Sequence, residues 1–444
     1  MLTNFSNSAS EINKNKFYDF GCNSAITDPT YLKEIIPNII HFIWLGSNNP
    51  DVDLYMRIWQ NFNTDKEVIL WQDADSEKCM DFQDYLSKYV SQSCTVKEDV
   101  EEALLNIRNE AFHFIWGGIL KGGDLRNLLD HFLKIKNIKK QDAPVMRQKV
   151  TASNIKVRDI NELISIEDCF LRKVYYCELI LRGNLACASD IIRLLALWKY
   201  GGVYIDVDTL PEINLNFRQT NVYLKEQSLF EDESLSILKS AAFLMKFSGK
   251  ENIECSLKTY ASELHALDEH VKNEAIKLIC RDLSACRELK VKALGNVYVY
   301  KGLISLSTLP FLNGVFFSNV ICSAPASRLI RIMLGYISRS YKFLEQNGRL
   351  YDSCECTQPL RVNSLMPAQY RKDRLGDSTY VTMKLTGPDM IIRTVIRYLH
   401  KVLHIDKNNM HEGLIIKLQD ECIGIGFTRQ TLDTPFGTIS EWRN

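Results

Sequence analysis

Between Ala188 and Asp208 the apolar spacing changes period once. Ile191, Leu194, Leu195 and Trp198 recur at three- and four-residue intervals, which predicts a helix with one buried face. Ser189 is the expected N-cap, because its hydroxyl can accept a backbone N–H left free in the first turn. Gly201 stands where a helix needs a left-handed residue to stop. After Gly201-Gly202, the unbroken apolar run Val203, Tyr204 and Ile205 predicts a short buried strand, and it ends in Asp206 and Asp208.

The rest of the chain repeats this alternation of short apolar runs and longer amphipathic ones. The run from Ile36 to Gly46, opened by Pro37 and closed by glycine, reads as the first buried strand of a parallel sheet. Asp51 to Asn63 reads as an amphipathic helix and Glu67 to Gln72 as the second strand, leading into Asp73-Ala74-Asp75. Strand, helix, strand in that order predicts an α/β fold with right-handed crossovers. Residues 77–187 are mostly helical by pattern and too long for a simple crossover, so they read as an inserted helical subdomain. Residues 225–300 read as a second helical insertion, including Ile253 to Arg287. Gly314 to Asn319 reads as a strand ending in a polar pair, followed by a helix from Ser327 to about Asn347. Thr386-Gly387-Pro388 opens a helix from Met390 to Leu403, with Pro at a favourable first-turn position. Residues 1–35 form a polar lead with room for one short helix, and residues 36–444 hold the α/β domain and its insertions.

Composition narrows the function classes. With 54 basic and 54 acidic residues there is no global electrostatic footprint for nucleic acid. No run approaches the roughly 18 apolar residues of a membrane span, and Met1 to Lys16 lacks the apolar core of a signal peptide. The 13 cysteines are scattered without paired metal spacing, and Cys354 and Cys356 are too close for a zinc half-site. Reduced thiols and a reducing final compartment are expected. Lys134, Lys136, Lys139 and Lys140 interleave with Phe132, Leu133, Ile135 and Ile138; a solvated helix face is the plainer reading, and peripheral membrane contact is the alternative.

The acidic strand end carries the chemistry. On an extended segment, positions i and i+2 point the same way. Asp206 and Asp208 are therefore expected to converge beyond the strand's C-terminal end, where open α/β sheets place ligands. Two hard oxygen donors there suit Mg²⁺ or Mn²⁺ bound to a diphosphate. Asp190 and Arg193, three apart on one helix face, can grip hydroxyls and phosphate oxygens. Trp44 closes the first strand on the ligand side, although core packing is the commoner fate of a strand tryptophan; His41 reads as a satisfied core histidine, and the second acidic pair, Asp73 and Asp75, reads equally well as a solvated loop.

The block Asp190, Arg193, Gly201, Gly202, Tyr204, Asp206, Asp208 resembles the signature of sugar-nucleotide glycosyltransferases of the type A fold. It is most similar to the catalytic domain of the large clostridial glucosylating toxins and related bacterial effectors, and the likeness runs in scattered blocks from Ile36 to the C-terminus. The resemblance implies a mainly parallel Rossmann-like sheet with large helical insertions. It implies that Asp190 and Arg193 hold the donor sugar, that Asp206 touches the ribose or sugar, and that Asp208 binds Mn²⁺ or Mg²⁺. It places Trp44 against the uracil ring, Asp75 at a base-contacting position, and Tyr204 and Asn319 at the donor. Ser440 and Trp442 match a Ser-x-Trp pair on a closing loop, the Ser on the metal and the indole N–H on the glycosidic oxygen. The family's metal-binding Glu is Gly437 here; Asp433, Glu441 or water would have to substitute.

The function so implied is retaining transfer of glucose or N-acetylglucosamine from a UDP-sugar to a protein hydroxyl, a host small GTPase being the acceptor the family suggests. The chain would then be a translocated bacterial effector acting in host cytoplasm. Three alternatives stand beside it: a glycan- or lipid-directed transferase sharing the DxD block, a haloacid-dehalogenase-type phosphatase with Asp206 as nucleophile, and a non-catalytic module that binds sugar nucleotides.

Overall fold

The computed structural model describes residues 33–46, 50–93, 97–140, 155–164, 169–211, 217–229, 233–262, 268–286, 291–308, 316–346, 382 and 384–402. In chain order the first elements are β1 (Lys33–Ile35), β2 (Ile39–Trp44), α1 (Pro50–Phe62), β3 (Glu67–Gln72), α2 (Ser76–Ser93), α3 (Lys97–Leu120), α4 (Leu125–Ile135) and β4 (Lys156–Asp159). Then come α5 (Cys169–Tyr176), α6 (Leu185–Tyr200), β5 (Gly202–Ile205), α7 (Arg218–Glu226), α8 (Glu233–Phe247), α9 (Ile253–Ala261) and α10 (Glu269–Ala285). The described residues end with β6 (Tyr298–Tyr300), β7 (Ile304–Thr308), β8 (Phe316–Ser323), α11 (Arg328–Gln346) and α12 (Pro388–Val402).

Among the described residues, six strands form one sheet in the order β4-β3-β2-β5-β8-β7, and β1 pairs with β6 in a separate two-stranded ribbon. β4, β3, β2 and β5 run parallel, as the strand–helix alternation predicts. β8 is antiparallel to β5, so the sheet is mixed. Side chains alternate between its faces. Ile43, Ile69, Trp71, Tyr204 and Ile321 pack into one large core with α2 to α6, α11 and α12. Ile40, Phe42, Val68, Leu70, Val203, Ile205 and Val320 face the other way, onto Val52, Met56 and Trp59 of α1. The outer side of α1, through Tyr55 and Ile58, packs on α7 to α10.

Several expectations are corrected here. The stretch 77–187 is mostly helical as expected but is not a separate insertion throughout: it supplies β4, an edge strand paired to β3 from Ile69↔Lys156 to Gln72↔Asp159. The strand near residue 316 does not end at Asn319; pairing with β5 carries it to Ser323. α6 starts four residues before Ser189, capped by Asn184, whose side chain accepts from the Cys187 N–H. The Ser189 hydroxyl instead donates to the Ala186 carbonyl. α6 is also buried nearly all round, from Cys187 to Leu197, while Trp198 is 40% exposed rather than on its buried face.

Before α6 the chain widens into a π-helical turn, Cys177–Arg182. There the fully buried Glu178 pairs with Arg182 and accepts from the Tyr341 hydroxyl. The lysine patch of α4 is partly neutralised, Lys136 by Glu110 and Lys140 by Asp130. No helix among the described residues is long and apolar enough to cross a membrane.

Candidate active site

The site is framed by the turn between α6 and β5. Gly201 and Gly202 have φ of 64° and 97°, and a Cβ on either would lie 2.6 Å from backbone or proline atoms, Pro325 and the Ile39 carbonyl respectively. Two glycines are needed because the turn is left-handed and pressed between β2 and the start of α11. His41 on β2 holds this turn: its Nε2–H donates to the Gly201 carbonyl at 2.8 Å, and its Nδ1 accepts from the Trp71 indole N–H at 3.1 Å. Burial lowers the imidazole to about 4, so it is the neutral, satisfied core histidine that the sequence predicts.

Four candidate residues come together around this frame. Arg193 lies 2.6 Å from the Asp190 carboxylate and 3.6 Å from Asp206. Its Nη1 donates to the Ser318 carbonyl on β8 at 3.3 Å, and its guanidinium sits 5.3 Å from the centre of the Tyr204 ring. The Tyr204 hydroxyl donates to Asp206 Oδ1 at 2.5 Å. Asp190 and Arg193 are 5% and 3% exposed, so this is a buried charge cluster rather than a surface ion pair.

Burial raises the Asp190 carboxyl to about 6, against the opposing pull of Arg193 and the Thr386 hydroxyl. Burial also works against charge on Arg193, but the surrounding Asp190, Tyr204 and Asp206 outweigh it and keep it protonated. Burial pushes Asp206 up while Arg193 and Tyr204 pull it down, and its side chain is 33% open to solvent.

The other candidates line the same edge. Trp44 is half-buried at the C-terminal end of β2, one strand from β5. Asp75 lies just past β3 and pairs with Arg126 of α4. Its neighbour Asp73 is buried, accepting the Tyr175 hydroxyl at 2.7 Å and the Asp75 N–H at 2.8 Å, which corrects the solvated-loop reading for that residue. The Asn319 carbonyl accepts the Asp206 N–H at 2.8 Å, and its side-chain amide donates to the Thr209 hydroxyl at 3.1 Å.

Asp206 and Asp208 do not converge by strand alternation. β5 stops at Ile205, and Asp206 to Thr209 form a tight turn closed by the Thr209 N–H on the Asp206 carbonyl. Asp208 is half-buried in that turn. Among the described residues no three carboxylates, histidines or cysteines gather around one point. The donors present suit a hard cation only if diphosphate oxygens or other parts of the chain complete its shell. Ser440, Trp442 and Gly437 lie outside the described residues. The residue the sequence reading left out of the site is Thr386, whose hydroxyl donates to Asp190 Oδ2 at 2.8 Å. Its only signal was the Thr-Gly-Pro turn ahead of a helix.

The TcdA/TcdB catalytic glycosyltransferase domain model matches residues 128–378. The chain belongs to this family. Its curated relatives include Cytotoxin-L of Paraclostridium sordellii, 29% identical over 305 residues, which make up 60% of this chain and 12% of the toxin. Toxin A of Clostridium novyi is 28% identical over 198 residues, 40% of this chain and 9% of the toxin. The chain thus spans about a tenth of the length of the curated relatives it matches. Among solved structures, the catalytic domain of alpha-toxin from Clostridium novyi superposes with a TM-score of 0.56 at 19% identity, covering 89% of this chain and 78% of that one. The ligand-free glycosyltransferase domain of the YGT toxin gives a TM-score of 0.50 at 21% identity, covering 83% and 79%. The type A glycosyltransferase fold is therefore the fold of this chain, and family membership displaces the phosphatase alternative.

Proposed function

We propose that this chain moves glucose or N-acetylglucosamine from a UDP-sugar to a hydroxyl of a protein acceptor, with retention of configuration and with Mn²⁺ or Mg²⁺ at Asp208. What supports the reading most is the charge chain at the C-terminal edge of β5, which runs from the buried Asp190 and Arg193 to the half-buried Asp206. Arg193 Nε is buried without a hydrogen-bond partner, and a buried donor of this kind calls for an acceptor that a bound sugar or phosphate would supply. Asp190 would accept from a sugar hydroxyl and Arg193 would donate to one, each charge-assisted. Tyr204 holds Asp206 in place, and Trp44 offers a ring face for uracil. Asp75 would sit near the base and Asn319 near the sugar.

Ser440 and Trp442 would close over the donor, with the indole N–H donating to the departing oxygen. A divalent cation, when bound, would neutralise the charge that develops on the diphosphate. Retention would follow from attack on the face the diphosphate leaves, with no covalent nucleophile supplied by the chain. The acceptor proposed is a host small GTPase, reached as a bacterial effector in host cytoplasm.

Incubation with UDP-hexoses and Mn²⁺ tests this: UDP release with an α-configured product by proton NMR is expected. Phosphate release from simple esters, or no reaction with any UDP-hexose, would overturn it. Mass spectrometry of a treated cell lysate identifies the acceptor. Asp208→Ala should abolish metal-dependent turnover with an unchanged melting temperature, and full turnover in that variant would remove Asp208 from the metal site.

A further inference from the structure

Thr386 sits eight residues past the stretch that matches the family model, which ends at residue 378, and it is fully buried. Its hydroxyl oxygen has three neighbours: Asp190 Oδ2 at 2.8 Å, Cys187 Sγ at 3.3 Å and the Thr382 carbonyl at 3.4 Å. One proton serves them, and the nearest, charged acceptor takes it. Asp190 Oδ1 is meanwhile held at 2.6 Å by Arg193. Each carboxylate oxygen is thus gripped from a different element, one from its own helix and one from a segment 196 residues later. A single ion pair leaves a carboxylate free to rotate about its broad terminal torsion. A second grip on the other oxygen sets the plane, and with it the direction of the remaining lone pairs.

The segment carrying Thr386 is itself bolted to α6. The Asn184 side chain, which caps α6, donates to the Thr382 hydroxyl at 3.1 Å. A Cβ at Gly387 would fall 2.7 Å from the Thr382 carbonyl and 3.3 Å from Asp190 Oδ2, so the close approach needs glycine.

We propose that Thr386 is a positioning residue for sugar transfer, its hydroxyl fixing the Asp190 carboxylate in the orientation that meets the donor sugar. This rests on the donor-sugar role of Asp190 given above. The groups facing Asp190 are Arg193 and Cys187 on α6, Glu178 on the π-helical turn, Tyr204 and Asp206 at β5, and the Thr386 hydroxyl ahead of α12. Burial, Asp206 and Glu178 raise the Asp190 carboxyl; Arg193 and Thr386 pull it down. Loss of the hydroxyl therefore pushes Asp190 further up and delays formation of the carboxylate that accepts from the sugar.

The test is the pH profile of kcat/KM for UDP-hexose hydrolysis in the wild type, Thr386→Val and Thr386→Ser. Thr386→Val should lose roughly tenfold to a hundredfold near pH 6, the worth of one charge-assisted hydrogen bond. Its acid limb should move to higher pH, so that the loss shrinks near pH 8. Thr386→Ser should keep the wild-type limb. A pH-independent loss in Thr386→Val, a serine variant that behaves like valine, or an unshifted Thr386→Val would each overturn the proposal. If Thr386→Val does not fold, Thr386→Cys, close in size and a poor donor, must show the same displaced limb. A wild type inactive towards every UDP-hexose refutes the donor reading itself, and this proposal with it; an active wild type with an unshifted variant refutes this proposal alone.

Discussion

Acidification charges the imidazole of unfolded His41 before that of the folded protein. In the native state the ring is fully buried, with Nε2–H donating to Gly201 and Nδ1 accepting from Trp71, so neither nitrogen can take a proton without breaking the set. Its folded value of about 4 lies below the ordinary 6.5. A depressed folded value means that the unfolded chain binds more protons between these limits, so this contribution is intact above about pH 6.5 and is lost as the pH falls toward 4. Between pH 7.5 and 4.5 the linkage amounts to about 2.5 kcal/mol.

The wild type alone would not reveal it. Asp73, Glu178 and Asp190 are raised by burial, and groups of that kind favour the folded state as pH falls. The readable quantity is the difference between the wild type and His41→Gln, whose amide can still donate to Gly201 and accept from Trp71 but cannot titrate. In chemical denaturation the wild type's advantage over His41→Gln should shrink by about 2.5 kcal/mol over that interval. A difference constant to within about 0.5 kcal/mol would mean that His41 does not titrate as its burial requires, and the reasoning would fail.

Three further outcomes follow from the same geometry. Gly202→Ala places a Cβ 2.6 Å from the Ile39 carbonyl at a φ of 97°, and should cost at least about 2 kcal/mol in denaturation; wild-type stability would contradict the observed turn. Arg193→Ala leaves the Asp190 carboxylate buried without its cation and should lose about 3–5 kcal/mol, whereas an exposed pair would lose almost nothing by the same measurement. Trp44→Ala should weaken UDP binding by about 1–3 kcal/mol in titration calorimetry while the protein stays folded; unfolding instead would assign Trp44 to the core.

The sequence by itself determined what depends on neighbours along the chain. β3 at Glu67–Gln72 and α1 near Asp51 are legible because period and punctuation are local properties. So is the Gly201-Gly202 break, because only glycine takes a positive φ cheaply in a tight turn. The neutral role of His41 could also be read, since a histidine in an apolar strand is normally hydrogen-bonded and uncharged.

Partners far apart in the chain were decided only by the tertiary structure. An apolar run does not say which way its strand will point, so the antiparallel β8, and its extension past Asn319 along β5, were not legible. Ser189 and Asn184 are both competent caps; packing of Thr382 on Asn184 accompanies the earlier start. Asp206 and Asp208 looked like an alternating pair, but β5 stops at Ile205 and the chain turns, the Thr209 N–H closing on the Asp206 carbonyl. Trp198 kept helical spacing yet lies outward, since α6 is enclosed on its other sides by α5, α11 and the sheet. The hydroxyl of Thr386 reaches Asp190 across 196 residues, and no local pattern carries a contact of that span; only the folding of the segment ahead of α12 against α6 creates it.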